Sequence, residues 1–466
     1  MRLDLSALDA LSPENRPKTD PRELAAQVVH FGLGAFHRAH QAVYTEAAAA
    51  ASGQPWGIAA VNPRSPEPVE GLRAQDCLFS VTDRETRVVG SIVEALRMVP
   101  DAERADQLLT SPEVTVVTLT VTEKGYFRDP ATGRLDTTHP EIAADLAGRP
   151  PRTVIGRLAT SLANRFRGTR APISVVSCDN AAGNVAALAD VVTGFVAASD
   201  WPDRDAVQDW LRAAVAFPST VVDRIVPAVT EAGKAAAEAA LGVRDEMAVA
   251  AEPYRQWVLE DTFAAPRPPW EAGGARFVPD VAPHQLMKLR LLNGSHSALA
   301  YLGLAAGCRT VADVLATGWG ERMVRGFTAE VAPTLPASDL DVPAYVDALV
   351  GRFADPAIGH RLRQIGSDGS LKIAERWLPV LRERGGAGPV LALALAAWAH
   401  ATRAGFGTTD PAADTLAACW DGAPDAATAV ARLLTAVGGA DLAGDPALVA
   451  SIAARLPEVE AGRIEP

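Results

Sequence analysis

The sequence predicts an α/β protein, in which a doubly wound parallel sheet is followed by a mostly α-helical domain. The chain has 466 residues, too many for one ordinary hydrophobic core. Short β-rich runs alternate with helical stretches in the first half, and the β-like runs end after about Pro279. Alternation of strands and helices is typical of a parallel sheet covered on both faces.

The first half contains four apolar runs that we predict to be strands. They are rich in Val, Ile, Thr and aromatic residues and are bounded by turn residues: "QVVHFGLGAF", "PWGIAAV", "VTVVTLTVTEKGY" and "APISVVSCDN". Segments rich in Ala, Leu and Arg lie between them and predict helices, for example at 154–166 and 186–198.

The second half is predicted to be helical. Its Ala- and Leu-rich segments are separated by prolines and lie at 285–304, 311–315, 342–353, 374–384 and 390–403. Proline clusters at "AAPRPPW" and "VPDVAPH" mark the transition. We therefore predict a dinucleotide-binding domain at 1–280 and a helical substrate and catalytic domain at 281–466.

Composition argues against several classes of protein. The net charge of −12 is spread over mixed signs without a basic block, which argues against nucleic-acid binding. The most apolar run, "VLALALAAWAHA", is shorter than the about 20 residues that span a bilayer, and the first residues do not resemble a signal peptide. The four cysteines are far apart, so we predict no disulfide, no metal site and a cytoplasmic location. The sequence has no heptad seam that would indicate an oligomer.

Two glycines stand where a dinucleotide-binding fold needs them. Gly32 and Gly34 follow an apolar strand and precede a helix. Such glycines make a tight turn and let backbone amides approach a pyrophosphate at the helix N-terminus. We therefore predict a cofactor site at Gly32, Gly34, Ala35 and Phe36. His37 occupies the place of a third glycine, and an ordinary strand-to-helix turn is the alternative.

The end of the second strand bears on the choice of cofactor. An acid is expected there to bind the ribose hydroxyl of the adenosine. In this chain "WGIAAV" is followed by Asn62 and Arg64, and Glu67 comes only later. We predict NAD as the cofactor, with Asn62 and Arg64 at its adenosine end. Because an arginine can accept a 2′-phosphate, NADP stays open.

An apolar helix in the second half, "MKLRLLNGSHSALAYLG", has a polar interruption. On an α-helix, Lys288, His296 and Asn293 fall at about 0°, 80° and 140°, within one broad sector. A helix break with a snorkelling lysine and a core histidine would give the same pattern. However, Gly294 costs about 1 kcal/mol in a helix interior, and a buried lysine or amide without a partner costs more. Three such costs close together favour a site.

These side chains suit the oxidation of an alcohol. A lysine in a desolvated pocket has a lowered pKa and can take a proton at neutral pH, which makes Lys288 a candidate base. Carboxamides stabilise the charge that develops as an alcohol becomes a ketone. Asn293 supplies one, and the loop with Asp179, Asn180 and Asn184 could supply the second, because it follows a strand at the ligand-binding edge of the sheet. Ordinary turn chemistry also favours Asp and Asn there.

Taken together, these segments resemble the long-chain, polyol-type mannitol dehydrogenase family, which includes fructuronate (mannonate) reductases and arabinitol dehydrogenases. The resemblance covers nearly the whole chain, and the segments that carry it are "GLGAFHRAHQAVY", "TVTEKGY", "SCDN", "VVDRIVPA", "QWVLEDTF", "MKLRLLNGSHSALAYLG" and "DGSLK". The spacing Lys-x4-Asn-x2-His is the family's catalytic signature. The resemblance implies a Rossmann-type domain before a mostly α-helical one, and hydride transfer to NAD(P) without a metal. Members of this family are often monomers, so we expect a monomer.

The resemblance also implies roles for single residues. Lys288 would be the general base, and Asn293 and Asn184 would form the oxyanion-type pair. His296 would position a substrate hydroxyl. Glu123 would take part in proton passage.

Further residues are predicted to bind the substrate. The resemblance places Asp223 of "VVDRIVP" and Lys372 of "DGSLK" among the substrate contacts, and Asn180 lies in the loop after the fourth strand. Mannitol dehydrogenases carry an arginine eight residues before the "DGS" lysine, where this chain has Gln364. The segments "TEKGY" and "IGSDGSLK" are closer to the fructuronate reductase branch.

A uronate substrate carries a carboxylate, which calls for a charge-assisted partner. The candidate partners are Lys124, Arg363, Lys372 and Arg376. Any of them could equally be a solvated surface charge. We predict an NAD(P)-dependent oxidoreductase that interconverts D-mannonate and D-fructuronate. The alternatives are a mannitol 2-dehydrogenase or arabinitol dehydrogenase on a neutral polyol and, from another class, a non-catalytic NAD(P) sensor.

Overall fold

The computed structural model describes residues 1–129, 131–180 and 183–466, and the side chain of Glu123 lies outside what it describes. By its internal contacts the chain divides into two compact units, Met1–Val281 and Ala282–Pro466. We call them the sheet unit and the helical unit. No helix in the described ranges is long and apolar enough to cross a bilayer.

The strands of the sheet unit are β1 (Ala25–Phe31), β2 (Trp56–Asn62), β3 (Phe79–Thr82), β4 (Thr86–Val89), β5 (Ile92–Arg97), β6 (Val116–Leu119), β7 (Ile173–Ser177), β8 (Val215–Ala216), β9 (Thr220–Asp223), β10 (Val249–Ala250), β11 (Gln256–Glu260) and β12 (Arg276–Val278). A six-stranded parallel sheet has the order β5-β2-β1-β6-β7-β8. The strand order reverses between β1 and β6, which is the point where doubly wound sheets bind ligands. The short strands form two three-stranded sheets, β10-β3-β4 and β12-β11-β9.

The helices of the sheet unit are α1 (Ala35–Ala39), α2 (Gln41–Ser52), α3 (Glu67–Arg73), α4 (Ala102–Thr110), α5 (Pro140–Leu146), α6 (Val154–Arg167), α7 (Asn184–Ala198), α8 (Arg204–Ala214) and α9 (Glu231–Leu241). Short 3₁₀ turns lie at Leu5–Ala10, Pro13–Asn15, Pro21–Glu23, Glu123–Tyr126 and Trp270–Gly273. Successive residues of a strand point to opposite faces, so Val29 and Val28 of β1 enter separate apolar cores. Both faces of the parallel sheet are therefore covered.

The helical unit begins with α10 (Ala282–Met287), which continues as a π-helical turn (Lys288–Asn293) into α11 (Gly294–Ala305). The remaining helices are α12 (Val311–Leu315), α13 (Gly320–Val331), α14 (Val342–Ala354), α15 (Leu362–Gly366), α16 (Gly369–Arg376), α17 (Leu378–Arg384), α18 (Pro389–Ala404), α19 (Ala413–Ala418), α20 (Ala426–Ala436), α21 (Ala440–Ala443) and α22 (Pro446–Glu460), with 3₁₀ turns at Ala332–Thr334 and Pro356–Ile358. Helix α18 is apolar on all sides and is buried among α11, α13 and α22, as expected for a central helix.

The predicted fold class is confirmed by this architecture. The predicted helix at 311–315 has the observed bounds, and the one at 154–166 is one residue longer. The segment 374–384 differs, because it holds parts of two helices that meet at Trp377. Pro379 stands in the first turn of α17 and has no backbone N–H to continue the preceding helix.

Candidate active site

The two glycines of the turn after β1 have different surroundings. Gly32 has φ +112°, and a Cβ there would lie 2.2 Å from the carbonyl oxygen of Thr120, so only glycine fits. Gly34 precedes α1, and a Cβ there would have no atom within 4 Å. The space beside Gly34 is open at the start of a helix and beside the switch point of the sheet. These features fit a dinucleotide pyrophosphate.

A buried histidine is hydrogen-bonded to the backbone of this turn. His30 Nε2 lies 3.0 Å from the carbonyl oxygen of Gly32, and Nδ1 lies 2.7 Å from Thr118 Oγ1. Because a carbonyl can only accept, Nε2 carries the proton and Nδ1 accepts from the threonine hydroxyl. Thr120 Oγ1 also donates to the Gly32 carbonyl, at 2.9 Å. The ring of His37, which replaces a third glycine, stacks on His30 with centroids 3.4 Å apart.

Burial keeps these imidazoles neutral. It lowers the pKa of His30 to about 3, against a small opposing effect of the bond to Gly32. Burial also lowers the pKa of His37, and the neighbouring His30 adds to this. His37 is therefore part of the interior beneath the glycine turn and not a surface ligand for phosphate.

The predicted adenosine contacts lie at the end of β2. Asn62 is half-buried, and its Nδ2 donates to the carbonyl oxygen of Ser65 at 2.6 Å, which closes the loop before α3. Arg64 is exposed in this loop, and Glu67 begins α3. The roles of Asn62 and Arg64 toward a cofactor stay predictions.

The loop after β7 fixes Asn184 at the start of α7. Its Nδ2 donates to the carbonyl oxygens of Asp179 and Ser177, at 2.7 and 3.4 Å. Its Oδ1 is buried and has no hydrogen-bond partner in the described part of the chain. Tyr126 donates to the carboxylate of Asp179 at 2.7 Å, and burial followed by that carboxylate raises the pKa of Tyr126. Asn180 in the same loop is exposed.

Asp223 closes strand β9 and is buried. The next residue, Arg224, is also buried, with its guanidinium 2.9 Å from the carboxylate of Asp83 and 3.0 Å from the carbonyl oxygen of Glu252. Burial lowers the pKa of Arg224, and Asp83 opposes this. Arg224 therefore holds the end of β9, which carries Asp223.

The predicted role of Glu123 concerns a side chain outside the described residues.

Lys288 opens the π-helical turn and is only 9% exposed. In this turn the backbone N–H of Gly294 donates to the carbonyl oxygen of Leu289, five residues earlier. A π-helix stacks residues five apart, where an α-helix stacks residues four apart. Lys288 and Asn293 are five apart, so the turn moves them toward one face of the helix. A regular α-helix would leave them much farther apart around the axis.

Gly294 stands at the junction of the π-helical turn and α11. A Cβ there would lie 3.0 and 3.1 Å from ring atoms of Phe327 and 3.6 Å from Nε1 of Trp377. Trp377 Nε1 donates to the carbonyl oxygen of Gly294 at 3.2 Å. Aromatic packing leaves little space for a Cβ here, and Phe327 would have to move by a few tenths of an ångström to admit one. The backbone of Gly294 itself has ordinary helical angles.

His296 lies among aromatic rings and cations of the helical unit. Its ring stacks on Phe353 at 5.2 Å and lies 5.0 Å from the ring of His360. Burial is the largest cause that lowers the pKa of His296, to well below the usual value. The charge of His360 lowers it further, and smaller effects come from Arg376, Arg352 and Lys372. The imidazole is therefore neutral at physiological pH.

Two of the four cations predicted for a carboxylate are half-buried in this region. Lys372 Nζ donates to the carbonyl oxygens of Ile365 and Ser367, at 3.1 and 2.7 Å. Burial lowers the pKa of Lys372, and Arg376 adds to this. Arg376 Nη1 donates to the carbonyl oxygen of Asn293 at 3.1 Å and to the Ser297 hydroxyl at 2.8 Å.

The other two cations are exposed. Lys124 is exposed on the sheet unit. Arg363 is exposed on the helical unit. Its guanidinium lies beside Gly407, where an added Cβ would be 3.2 Å from the guanidinium carbon. Sequence reasoning missed Arg352 and His360, which stand in no motif and enter the surroundings of His296 only through the packing of α14 and the loop after it.

No group of three or more His, Cys, Asp or Glu in the ranges described is placed to hold a metal ion.

The chain is similar along most of its length to proteins of one family. A family profile described as the mannitol dehydrogenase Rossmann domain matches residues 26–272, and one described as the mannitol dehydrogenase C-terminal domain matches 280–460. The uncharacterized oxidoreductase YdfI of Escherichia coli is 42% identical over 78% of this chain and 76% of its own length. The D-mannonate oxidoreductase of Escherichia coli is 40% identical over 85% of this chain and 84% of its own. A structure of Pseudomonas fluorescens mannitol 2-dehydrogenase in a ternary complex with NAD and D-mannitol has a TM-score of 0.81 and 32% identity, and covers 99% of this chain and 98% of that one.

Proposed function

The chain belongs to the mannitol dehydrogenase family of oxidoreductases acting on alcohol groups, and on that basis we propose that it interconverts D-mannonate and D-fructuronate with NAD. In the oxidative direction a secondary alcohol loses a hydride from carbon and a proton from oxygen. The products are a ketone, NADH and one proton. Reduction of the keto acid is the reverse.

The observation that carries this proposal is the placing of Lys288. A buried amine five residues before a carboxamide, on a turn whose hydrogen bonds span five residues, supports a base beside an oxyanion donor. Lys288 Nζ takes the hydroxyl proton, and Asn293 donates to the oxygen as its negative charge grows. Asn184 is proposed as the second amide donor, and His296 as a group that positions the substrate.

The glycine turn of the sheet unit supports NAD as the cofactor. Gly32, Gly34, Ala35 and Phe36 would hold the pyrophosphate, with the open side of Gly34 toward it. The nicotinamide supplies the hydride acceptor when it is bound. We propose Asn62 and Arg64 for the adenosine end, where a preference for NADP would also be decided.

The aldonate is supported by the 40% identity to a D-mannonate oxidoreductase over most of both chains. The neutral polyol is the second candidate, because a mannitol 2-dehydrogenase structure is 32% identical over nearly the full length of both. Gln364 and the cations around His296 favour the charged substrate.

The test replaces Lys288 by Met, which keeps the chain length and removes the amine. We expect the rate of NADH oxidation with D-fructuronate to fall by roughly 10³-fold or more, within the range of a general base and its electrostatic effects. NADH affinity, measured by fluorescence, should change little. Added methylamine should restore part of the rate, because it supplies the missing base.

The control is Arg325→Gln, an exposed ion-pairing residue of the helical unit, which should behave as the wild type. The wild type is also assayed with fructose, mannitol, arabinitol and mannonate, using NAD and NADP in turn. A Lys288→Met enzyme with the wild-type rate would exclude the assigned base. Activity on mannitol alone would favour the polyol, and binding of NADH without turnover of any substrate would favour a sensor.

A further inference from the structure

Two buried side-chain nitrogens near Asn293 have no hydrogen-bond partner among the described residues. His296 Nε2 is buried and lacks a hydrogen-bond partner among the described residues. Arg376 Nε is buried likewise and has no partner within the part of the chain that the structure covers. A buried polar atom without a partner costs about 1–3 kcal/mol. Two such atoms in one region indicate that a bound molecule completes them.

These nitrogens belong to one neighbourhood of the helical unit. Arg376 Nη1 donates to the carbonyl oxygen of Asn293 and to the hydroxyl of Ser297, the residue after His296. Arg376 also acts electrostatically on His296. The guanidinium is thus fixed by two hydrogen bonds on one nitrogen, while another nitrogen stays available to a ligand.

The charges around His296 indicate the sign of that ligand. The charges that act most strongly on it come from His360, Arg376, Arg352 and Lys372, and all of them oppose a proton on His296. The nearby carboxylates act on the cations themselves. Asp368 and Asp410 oppose the lowering of the pKa of Lys372, and Glu375 opposes the lowering of the pKa of Arg376. An anion is the ligand that such an arrangement stabilises.

Resting on the proposed function, we propose that Arg376 and His296 together bind the carboxylate of the substrate, and that Arg376 thereby sets the preference for an aldonate over a neutral polyol. Arg376 Nε and His296 Nε2 each donate one hydrogen bond to the carboxylate. Because Arg376 also holds the main chain of Asn293, binding of the acid end fixes the amide that serves the reacting oxygen. Lys372 contributes charge, since its nitrogen is already held by two carbonyl groups.

The experiment compares D-mannonate with D-mannonamide, in which a neutral amide replaces the carboxylate. Wild-type kcat/KM should be at least about ten-fold higher for mannonate, the scale of one charge-assisted hydrogen bond. Arg376→Met should reduce this ratio by about ten-fold, mainly through KM for mannonate. A purely structural role would lower both substrates equally and leave the ratio unchanged.

Two further variants keep the test informative if Arg376→Met folds poorly. Arg376→Lys retains the charge and should keep part of the preference. His296→Leu removes the imidazole donor and should reduce the ratio, whereas His296→Gln, which keeps an N–H donor, should preserve more of it. Arg325→Gln serves as the matched surface control, and a melting curve is recorded for each variant.

The outcomes separate the two proposals. If the wild type oxidises mannonate in preference to mannonamide and the ratio survives Arg376→Met, the carboxylate assignment is wrong and the proposed function stands. If the wild type oxidises mannitol but neither mannonate nor mannonamide, both are wrong. If the mannonate-to-mannonamide ratio falls in Arg376→Met and in His296→Leu but keeps its wild-type value in Arg325→Gln, the carboxylate assignment holds.

Discussion

The α-carbon of Gly294 lies so close to the ring of Phe327 that a Cβ at this position would come within 3.0 Å of it. Phe327 lies in α13, thirty-three residues along the chain, and Trp377 donates to the carbonyl oxygen of Gly294 from a third segment. The junction of the π-helical turn with α11 is therefore set by aromatic residues distant in sequence. Asn293, which ends the π-helical turn, directly precedes this junction.

Gly294→Ala is the first prediction, and two effects oppose one another in it. Alanine gains about 1 kcal/mol of helix propensity over glycine. The new methyl group overlaps Phe327, and forcing extra volume into a packed core typically costs about 1–3 kcal/mol. We expect a lower melting temperature and a kcat reduced by about ten-fold or more, measured by thermal unfolding and NADH oxidation. Gly351→Ala, on the exposed face of α14 with no atom near its Cβ, should instead be neutral or stabilising. A Gly294→Ala enzyme with raised stability and full rate would show that Phe327 yields.

Thr120→Val is the second prediction and concerns the glycine turn. Valine keeps the shape of threonine but removes the hydroxyl that donates to the Gly32 carbonyl. We expect the dissociation constant of NADH to rise about five-fold, since one hydrogen bond contributes about 1 kcal/mol. The kcat at saturating NADH should stay nearly unchanged. Titration of NADH fluorescence measures the effect, and Thr193→Val, whose hydroxyl bonds only within α7, is the control. Equal weakening in both variants would contradict a role for the turn.

Much of the parallel sheet is predictable because its strands are short and uniformly apolar. The run "WGIAAV" is buried along β2, and "ISVVS" along β7, as both-face coverage requires. The strands β3 and β4 are not evident from the sequence, because the hairpin "FSVTDRETRVV" is short and polar at its turn. Only pairing with β10, far along the chain, completes that sheet.

The sequence supplies the residue types proposed for the site but not their geometry. The spacing of Lys288, Asn293 and His296 is visible in the sequence, whereas the π-helical turn that alters their angles is not. Its junction with α11 packs against Phe327 and Trp377, which are distant in sequence. The same holds for His296, whose neighbours Arg352 and His360 come from separate segments. Long-range packing leaves no periodic trace in one sequence.

Glu46 gives the third prediction, which concerns pH. This carboxyl of α2 is buried and accepts from the backbone N–H of Gly90 at 3.2 Å and of Lys18 at 3.3 Å. Burial raises its pKa from 4.5 to about 7, against the opposing effect of these two bonds. The folded protein therefore binds a proton that the unfolded chain releases between these values, and stability falls as pH rises from about 4.5 through about 7. That rise in pKa corresponds to roughly 3 kcal/mol.

Glu46→Gln should remove this pH dependence, because glutamine keeps the accepting oxygen and carries no charge. At pH 8 the variant should unfold at a higher urea concentration than the wild type, and near pH 4.5 the two should coincide. The comparison cancels the opposite slope of His30 and His40, whose pKa values burial lowers to about 3. Parallel curves for the two proteins from pH 5 to 8 would show that Glu46 titrates normally.

Glu383→Gln is the last prediction and tests the support of the π-helical turn. Arg290, two residues after Lys288, has a buried side chain that forms a bidentate ion pair with Glu383 and also donates to the carbonyl oxygen of Thr334. Loss of the carboxylate leaves the guanidinium with a weaker partner. Because Glu383 is 46% exposed, water replaces part of the interaction, and we expect a loss of only roughly 1–2 kcal/mol of stability.

The pH dependence of this pair follows from the pKa of Glu383, which Arg290 lowers through their hydrogen bond. A carboxyl with a lowered pKa stabilises the fold fully above its ordinary value of 4.5, and this contribution is lost as pH falls below it. Glu383→Gln should therefore lower the melting temperature at pH 7 but much less at pH 3.5. Glu321→Gln, which breaks an exposed pair with Arg325, should change the melting temperature little at either pH. If the turn carries Lys288 as proposed, Glu383→Gln should also lower kcat more than Glu321→Gln does, and equal kcat values would show that the ion pair supports stability alone.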